Sequence, residues 1–290
     1  MNGLPEPDQK TVRSFDGTLL AARRFPGGEE TPLLVSNAIG ANVAAWRRAL
    51  IDVIRERSVV MWDQRGLLDS SPPASDRIAP GAHAEDAAAV LSAFDDEEVF
   101  LAGWSNGSRI AIEIAARYPE RIKGMVLVCP HYGHALTRLV THLELGAVLP
   151  SVMGVAKHFA GYLEAPFRAL VGRPEVSGLI RQSGLIAAVA DTRGLVELLR
   201  GLASCDLRRL FATYEAVAGD AAPELLRRVQ APTLLIAGQR DVFASPAMAE
   251  DMERRIPDAS LEIYEKATHY LPLEYPARLS DDMRRFFKNF

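Results

Sequence analysis

Cysteine is nearly absent: Cys129 and Cys205 are the only two in 290 residues. Two thiols build no disulfide framework, and their spacing matches no zinc-binding pattern, so the fold must rest on an apolar core. Cys129 ends the apolar run that begins at Met125 and reads as a small core residue. Positive charge is not in excess either. Lys and Arg number 33 against 37 Asp and Glu, a formal net charge of -4. That balance gives no electrostatic reason to expect a nucleic acid or an anionic membrane as partner. No hydrophobic run is long enough to span a bilayer. Residues 1–8 have neither the basic start nor the apolar segment of a signal peptide, so a reducing, cytoplasmic setting is expected. Internal repeats and low-complexity linkers are also missing. What remains is ordinary for a globular chain, 48% hydrophobic and 24% charged, and long enough for one large domain or a core with an insertion.

The pattern along the chain is an alternation. Lys10 to Phe15 and Thr18 to Phe25 flank Asp16-Gly17, a strong hairpin signal. Pro32 to Ser36 reads as a strand, Val43 to Arg57 as a helix, Ser58 to Trp62 as a strand. Ala82 to Phe94 reads as a helix with Ala88, Val90, Leu91 and Phe94 inward, and Asp95 to Glu98 as a solvated acidic turn. Val99 to Ala102 and Gly124 to Cys129 are further strands. Continuous apolar strands alternating with helices predict a mostly parallel sheet covered on both faces, an α/β fold. The alternation stops at Pro130 and resumes at Pro232 with Thr233 to Ala237, a helix from Pro246 to Arg255, a strand from Ser260 to Tyr264 and a last helix from Pro276 to Phe287. Between them lies helical periodicity without a convincing strand. The expected organisation is a core of residues 1–130 and 223–290, with residues 131–222 as a helical insert.

Gly103-Trp104-Ser105-Asn106-Gly107 is a G-x-S-x-G pentapeptide between a strand and a helix. A tight turn there pushes the Ser105 side chain out at the top of a sheet. A serine hydroxyl needs a base to take its proton, and the base needs a third group to hold its tautomer. For this type of turn the expected chain order is Ser, acid, His. Asp241 follows the strand Thr233 to Ala237. The other position considered, after the strand ending at Cys129, reads Pro130-His131-Tyr132-Gly133 and offers no carboxylate. His269 follows the last strand and is the only histidine after Asp241. His83 reads as the start of a helix. His131, His134, His142 and His158 fall in the insert, where a surface or substrate-facing role is expected. No nearby carboxylate completes His131 and His134 as a metal pair. The backbone N–H of Asn106, at a helix start, and that of Ile39, in the loop Ser36 to Asn42, are the expected oxyanion donors. Trp104 has two readings: wall of the acyl pocket, or a core tryptophan against the following helix. Asn37, Leu143, Leu145 and Val148 are further pocket candidates.

Taken together, these blocks resemble the α/β-hydrolase superfamily along essentially the whole chain. Asn37-Ala38-Ile39-Gly40 stands where many members have His-Gly-x-Gly. Asp63-Gln64-Arg65-Gly66 with Ser70 is similar to the Asp-x-Arg-Gly-x-x-x-Ser loop. His269, Glu274 and Pro276 are similar to the His-x-x-x-x-Glu-x-Pro ending. The Ser-Asn-x-hydrophobic-Gly form of the first block is similar to enol-lactonases, whereas Gly66 to Asp69 lacks the frequent Gly-His-Gly and Ser108 replaces a frequent glycine. The resemblance implies an α/β-hydrolase fold whose insert is a cap over the site. It implies hydrolysis of a small-molecule carboxylic ester or lactone by Ser105, His269 and Asp241, with no metal or cofactor. Carbon–carbon bond hydrolysis, cofactor-free haloperoxidase or perhydrolase chemistry, and a slow-turnover ligand receptor are the alternatives that the same resemblance leaves open.

Overall fold

The computed structural model describes residues 3–133, 162, 164–171 and 173–290. A seven-stranded sheet forms the centre. β1 (Asp8–Arg13) and the start of β2 (Leu19–Ser36) make the hairpin, with Gly17 at φ 92° supplying the left-handed turn. β2 is long because it doubles back around Gly27 and Gly28. A Cβ on either glycine would lie 2.2 Å from a backbone carbonyl oxygen of residue 57 or 56. β3 (Arg57–Trp62) therefore sits between the two halves of β2, with Phe25 and Leu33 both paired to Val59. Beyond it run β4 (Val99–Trp104), β5 (Ile122–Val128), β6 (Thr233–Gly238) and β7 (Ala259–Tyr264), parallel from the end of β2 onward.

Every residue of β3, β4 and β6 is buried. Successive side chains point to opposite faces, so each strand serves two cores. Leu33, Val35, Phe100, Val126 and Ile236 pack with α1 (Arg47–Val53) and the last helix α9 (Pro276–Phe287) on one face. Leu34, Leu101, Leu127 and Leu235 pack with α2 (Pro80–Ala93), α3 (Asn106–Arg117) and α8 (Pro246–Arg255) on the other.

Three local expectations are corrected. The segment Val43 to Arg57 is not one helix. It is a 3-10 turn over Val43–Ala45, capped by Asn42 Oδ1, then the short α1, and Arg57 already belongs to β3. Val90 and Leu91 of α2, and Phe94 just after it, are buried as expected, together with Ala84 and Ala87, but Ala88 is only half-buried. Asp96 is not solvated: it is buried and pairs with Arg24 at 3.0 Å, because a buried carboxylate needs a cation or donors beside it.

The described part of the insert is helical: α4 (Pro174–Gln182), α5 (Thr192–Ser204) and α6 (Leu207–Ala218), followed by the short α7 (Pro223–Leu226). The chain leaves and re-enters the core at one place. The Ala222 N–H donates to the Tyr132 carbonyl at 3.2 Å, and a Cβ on Gly133 would lie 2.5 Å from Ala221 Cα. Arg109 on α3 binds Asp220 there through both its backbone and its carboxylate. The insert also packs down on the core: Leu195, Leu198 and Leu199 of α5 join the α1 side of the apolar core.

Candidate active site

β4 ends at Trp104 and α3 starts at Asn106, so Ser105 alone makes the turn between them. Its backbone is left-handed, φ 55° and ψ −124°, an unfavourable region that a serine holds only when its surroundings force it. The forcing is visible on both sides. A Cβ on Gly103 would lie 2.8 Å from the Gly107 carbonyl oxygen, and one on Gly107 would lie 2.1 Å from that of Ser36. Only glycine lets strand, helix and neighbouring loop approach so closely. Ser108 adds a clamp: its hydroxyl donates to the Ser105 carbonyl at 2.5 Å and accepts from the His131 N–H at 3.0 Å.

Ser105 Oγ lies 2.8 Å from His269 Nε2, and His269 Nδ1 lies 2.8 Å from Asp241 Oδ2. The three residues that the sequence singles out are thus brought into one hydrogen-bonded chain. The Asp241 side chain is fully buried, and that of His269 is 11% exposed. The other carboxylate oxygen of Asp241, Oδ1, accepts from the N–H groups of Phe243 and Ala244, each at 2.8 Å. Asp241 is therefore both a turn-former and the partner of His269. The Asp241 and His269 loops meet at Gly238, where a Cβ would lie 2.6 Å from the Thr268 carbonyl oxygen. Gly238 was visible in the sequence only as a glycine after a strand.

Ser105 and His269 open on a cavity of about 180 Å³ whose described lining also includes Ile39, Asn106, Tyr214, Phe243 and Tyr270. Larger cavities lie elsewhere, one of about 550 Å³ along the N-terminal segment, and contain none of these groups. Ile39 and Asn106 thus reach the same cavity as Ser105. The N–H of Asn106, first in α3, has no partner within its helix by construction. Gly40, at φ 65°, lies beneath the insert: a Cβ there would meet Leu202 at 2.7 Å and Leu210 at 3.1 Å.

Trp104 and Asn37 are buried and absent from the cavity lining. Trp104 is a core tryptophan, but on the α1 face of the sheet rather than against α3, with its indole N–H donated to the His269 carbonyl. Asn37 gives its carbonyl to Gln64 Nε2 at 2.9 Å. Leu143, Leu145 and Val148, like His134, His142 and His158, lie outside the described residues. Among the described residues, the insert residue that reaches the cavity is Tyr214 of α6, which the apolar periodicity does not pick out.

His131 is the clear correction. Expected at a surface or facing substrate, it is fully buried, with Nε2 2.8 Å from Asn106 Oδ1. Burial above all, with the charges of His269 and Arg109, pushes it down to about 3, so it is neutral. His83 is buried too, in the first turn of α2. Arg65, of the Asp-x-Arg-Gly loop, is buried and grips Asp86 and Asp16; it holds the loop and does not approach Ser105.

Among the described residues, Cys129, Asp241 and His269 are the one group of possible metal ligands, with atoms within 4.8 Å of one another. Burial, with the Asp241 charge, pushes the Cys129 thiol well up, and Asp241 already holds His269. Both carboxylate oxygens of Asp241 and both ring nitrogens of His269 are already engaged in hydrogen bonds. No described helix is long and apolar enough to cross a membrane.

The family described as alpha/beta hydrolase fold matches residues 31–276. The chain is 24% identical over 282 residues to serine hydrolase BPHL of Mus musculus, covering 96% of this chain and 84% of that protein. It is 26% identical over 194 residues to a pimeloyl-[acyl-carrier protein] methyl ester esterase of Neisseria meningitidis, covering 64% of this chain and only 55% of that protein. A solved hydrolase structure from Pseudomonas aeruginosa PA01 superposes with a TM-score of 0.76 at 21% identity, over 97% of this chain and 98% of that one. With a sheet of this topology and a family match over most of its length, the chain belongs to the α/β-hydrolase fold family.

Proposed function

We propose that the protein cleaves a carboxylic ester or lactone through an acyl-enzyme. The observation that carries this reading is the unbroken chain Ser105–His269–Asp241, two contacts of 2.8 Å, open to a cavity at its serine end. His269 Nε2 takes the Ser105 proton as Oγ attacks the carbonyl, then returns it to the leaving oxygen. Asp241 fixes the tautomer with the proton on Nδ1 and stabilises the imidazolium that forms. The N–H groups of Ile39 and Asn106 receive the oxyanion, and the start of α3 adds its dipole. Water then repeats the sequence on the acyl-enzyme. No step calls on a metal or a redox cofactor. Residues 131–222 act as a cap that shapes the mouth, with Tyr214 as one of its walls.

The ester reading gains support from similarity to a methyl ester esterase, and the lactone reading from the Ser36-Asn37 form of the oxyanion loop. Three aromatic side chains, Tyr214, Phe243 and Tyr270, and no Lys, Arg, Asp or Glu among the described lining favour a small neutral substrate. The test is a series of p-nitrophenyl esters together with a serine-directed phosphonate. One equivalent of label on Ser105 and sustained turnover are expected. A single stoichiometric burst without turnover would instead identify a slow receptor of the same fold. Labelling at another serine would overturn the assignment of Ser105.

A further inference from the structure

The hydrogen bonds around His131 determine which way the Asn106 carboxamide faces. The Gly133 N–H donates to His131 Nδ1 at 3.3 Å, so the ring proton is on Nε2. That proton goes to Asn106 Oδ1 at 2.8 Å. The backbone of His131 is tied down as well, through Ser108 to the carbonyl of Ser105. With Oδ1 occupied, the amide NH2 lies on the other side of the carboxamide. Asn106 is 2% exposed, yet Nδ2 has no hydrogen-bond partner among the described residues. A buried donor left unpaired is costly, so this one needs an account. Asn106 also lines the cavity beside Ser105.

We infer that the Asn106 carboxamide, oriented by His131, donates a hydrogen bond to the substrate, and that the site takes acyl groups bearing an oxygen on the carbon next to the scissile carbonyl. The inference rests on the acyl-enzyme reading above. In that reading the N–H of this same residue receives the oxyanion. Its side chain can then reach only atoms close to the carbonyl carbon. The described lining is otherwise aromatic and aliphatic apart from Ser105 and His269. A neutral donor in such a place selects a neutral acceptor: an ether, hydroxyl or keto oxygen. His131 is a positioning residue, acting through Asn106. Its buried, neutral ring keeps the same donor pattern across the working pH range.

The test uses the full chain and two esters of equal size, p-nitrophenyl methoxyacetate and p-nitrophenyl butyrate. Their intrinsic reactivities differ, so the readout is the ratio of their kcat/KM values, compared between variants. Asn106→Leu is expected to lower the methoxyacetate-to-butyrate ratio about tenfold. His131→Leu should lower it too, whereas His131→Gln, whose amide can still donate to Oδ1, should restore it. A merely structural role would depress both esters alike and leave the ratio unmoved; that outcome overturns the inference while the acyl-enzyme reading stands. If the unmodified protein turns over neither ester and the phosphonate spares Ser105, both fall.

Discussion

Trp104 donates its indole N–H to the backbone carbonyl of His269 over 2.9 Å. The residue before Ser105 thus holds the histidine that is hydrogen-bonded to Ser105 Oγ, across 165 positions of sequence. The bond is buried, and Tyr270 packs edge-on against the same indole at 6.3 Å. Trp104→Phe keeps a ring in the core but leaves the carbonyl of His269 without its donor. Losing such a partner costs about 1–3 kcal/mol. A fall in kcat of about tenfold is expected, with a measurable drop in Tm. If both values match the unmodified protein, the His269 loop is held by other contacts.

Asp241→Asn should leave the fold intact and cost about 10⁴ in kcat. The asparagine oxygen can still accept from Phe243 and Ala244, so the turn survives. Its NH2 then faces His269 Nδ1 and imposes the wrong tautomer. Ser105→Ala should cost a comparable or larger factor, because the three groups act as a unit. Circular dichroism and kcat on one ester, measured on both variants, are sufficient. Near-native turnover in Asp241→Asn would mean that another carboxylate orients the base.

The hydrogen-bonded group Ser105–His269–Asp241 is legible in the sequence because its geometry forces residue types onto particular positions. Ser105 sits in a strand–turn–helix that needs two glycines, and Asp241 and His269 each follow a strand of the same sheet. The sheet itself was readable because its strands are apolar throughout. What escaped detection depends on contacts between distant segments. His131 looks like any polar residue at the start of a loop; only its meeting with Asn106 and Gly133 makes burial tolerable. Asp96 looks like part of an acidic surface turn until Arg24 arrives from β2. Tyr214 lies on the half-buried side of α6, so an apolar-stripe reading of that helix does not pick it out.

Stability should fall as the pH is lowered below neutral, and His83 is one cause. Burial above all pushes it down from 6.5 to about 4, with Arg65 adding to the effect and Asp86 opposing it. In the unfolded chain the imidazole protonates near its ordinary value. Between about pH 6.5 and 4 the unfolded state therefore binds the extra proton, and folding weakens as pH falls through that window. Above it the contribution is fully present. His131 acts in the same direction. His83→Gln, neutral at every pH, should remove up to about 1.4 kcal/mol per pH unit from the slope of unfolding free energy. Urea unfolding from pH 4.5 to 7 measures it. An unchanged slope would mean that His83 is not held neutral in the folded protein.

The insert should influence which acyl group is accepted, since Tyr214 of α6 shares the cavity with Ser105. Tyr214→Ala should shift the preference among acetyl, butyryl and hexanoyl esters by about 1–3 kcal/mol, the usual worth of a methylene-scale pocket contact. The profile of kcat/KM against chain length is the measurement. A uniform loss across the series would assign Tyr214 a role in holding the insert rather than in selecting substrate.

Glu274 ties the His269 loop, the last helices and the insert together. Its Oε2 accepts from the Thr268 N–H at 2.7 Å, and its Oε1 accepts from the Thr268 hydroxyl at 2.5 Å and from the Ala187 N–H at 2.8 Å. Thr268 precedes His269, and Ala187 belongs to the insert. The site is buried, with Glu274 4% exposed. Glu274→Gln keeps the size but replaces one acceptor oxygen by a donor. If the amide oxygen keeps Thr268 Oγ1 and Ala187, its NH2 confronts the Thr268 N–H. If it keeps the Thr268 N–H, the NH2 faces the other two groups, and the Ala187 N–H loses its acceptor. Either way a buried donor is orphaned, at a cost of about 1–3 kcal/mol. The expected outcome is a lower urea midpoint together with a reduced kcat, because the strain falls on the residue that carries His269. Thr268→Val removes the hydroxyl but leaves both backbone donors in place, so it should cost less in both measurements. Equal losses in the two variants, or a loss of stability with kcat untouched, would show that Glu274 fastens the insert without positioning the base.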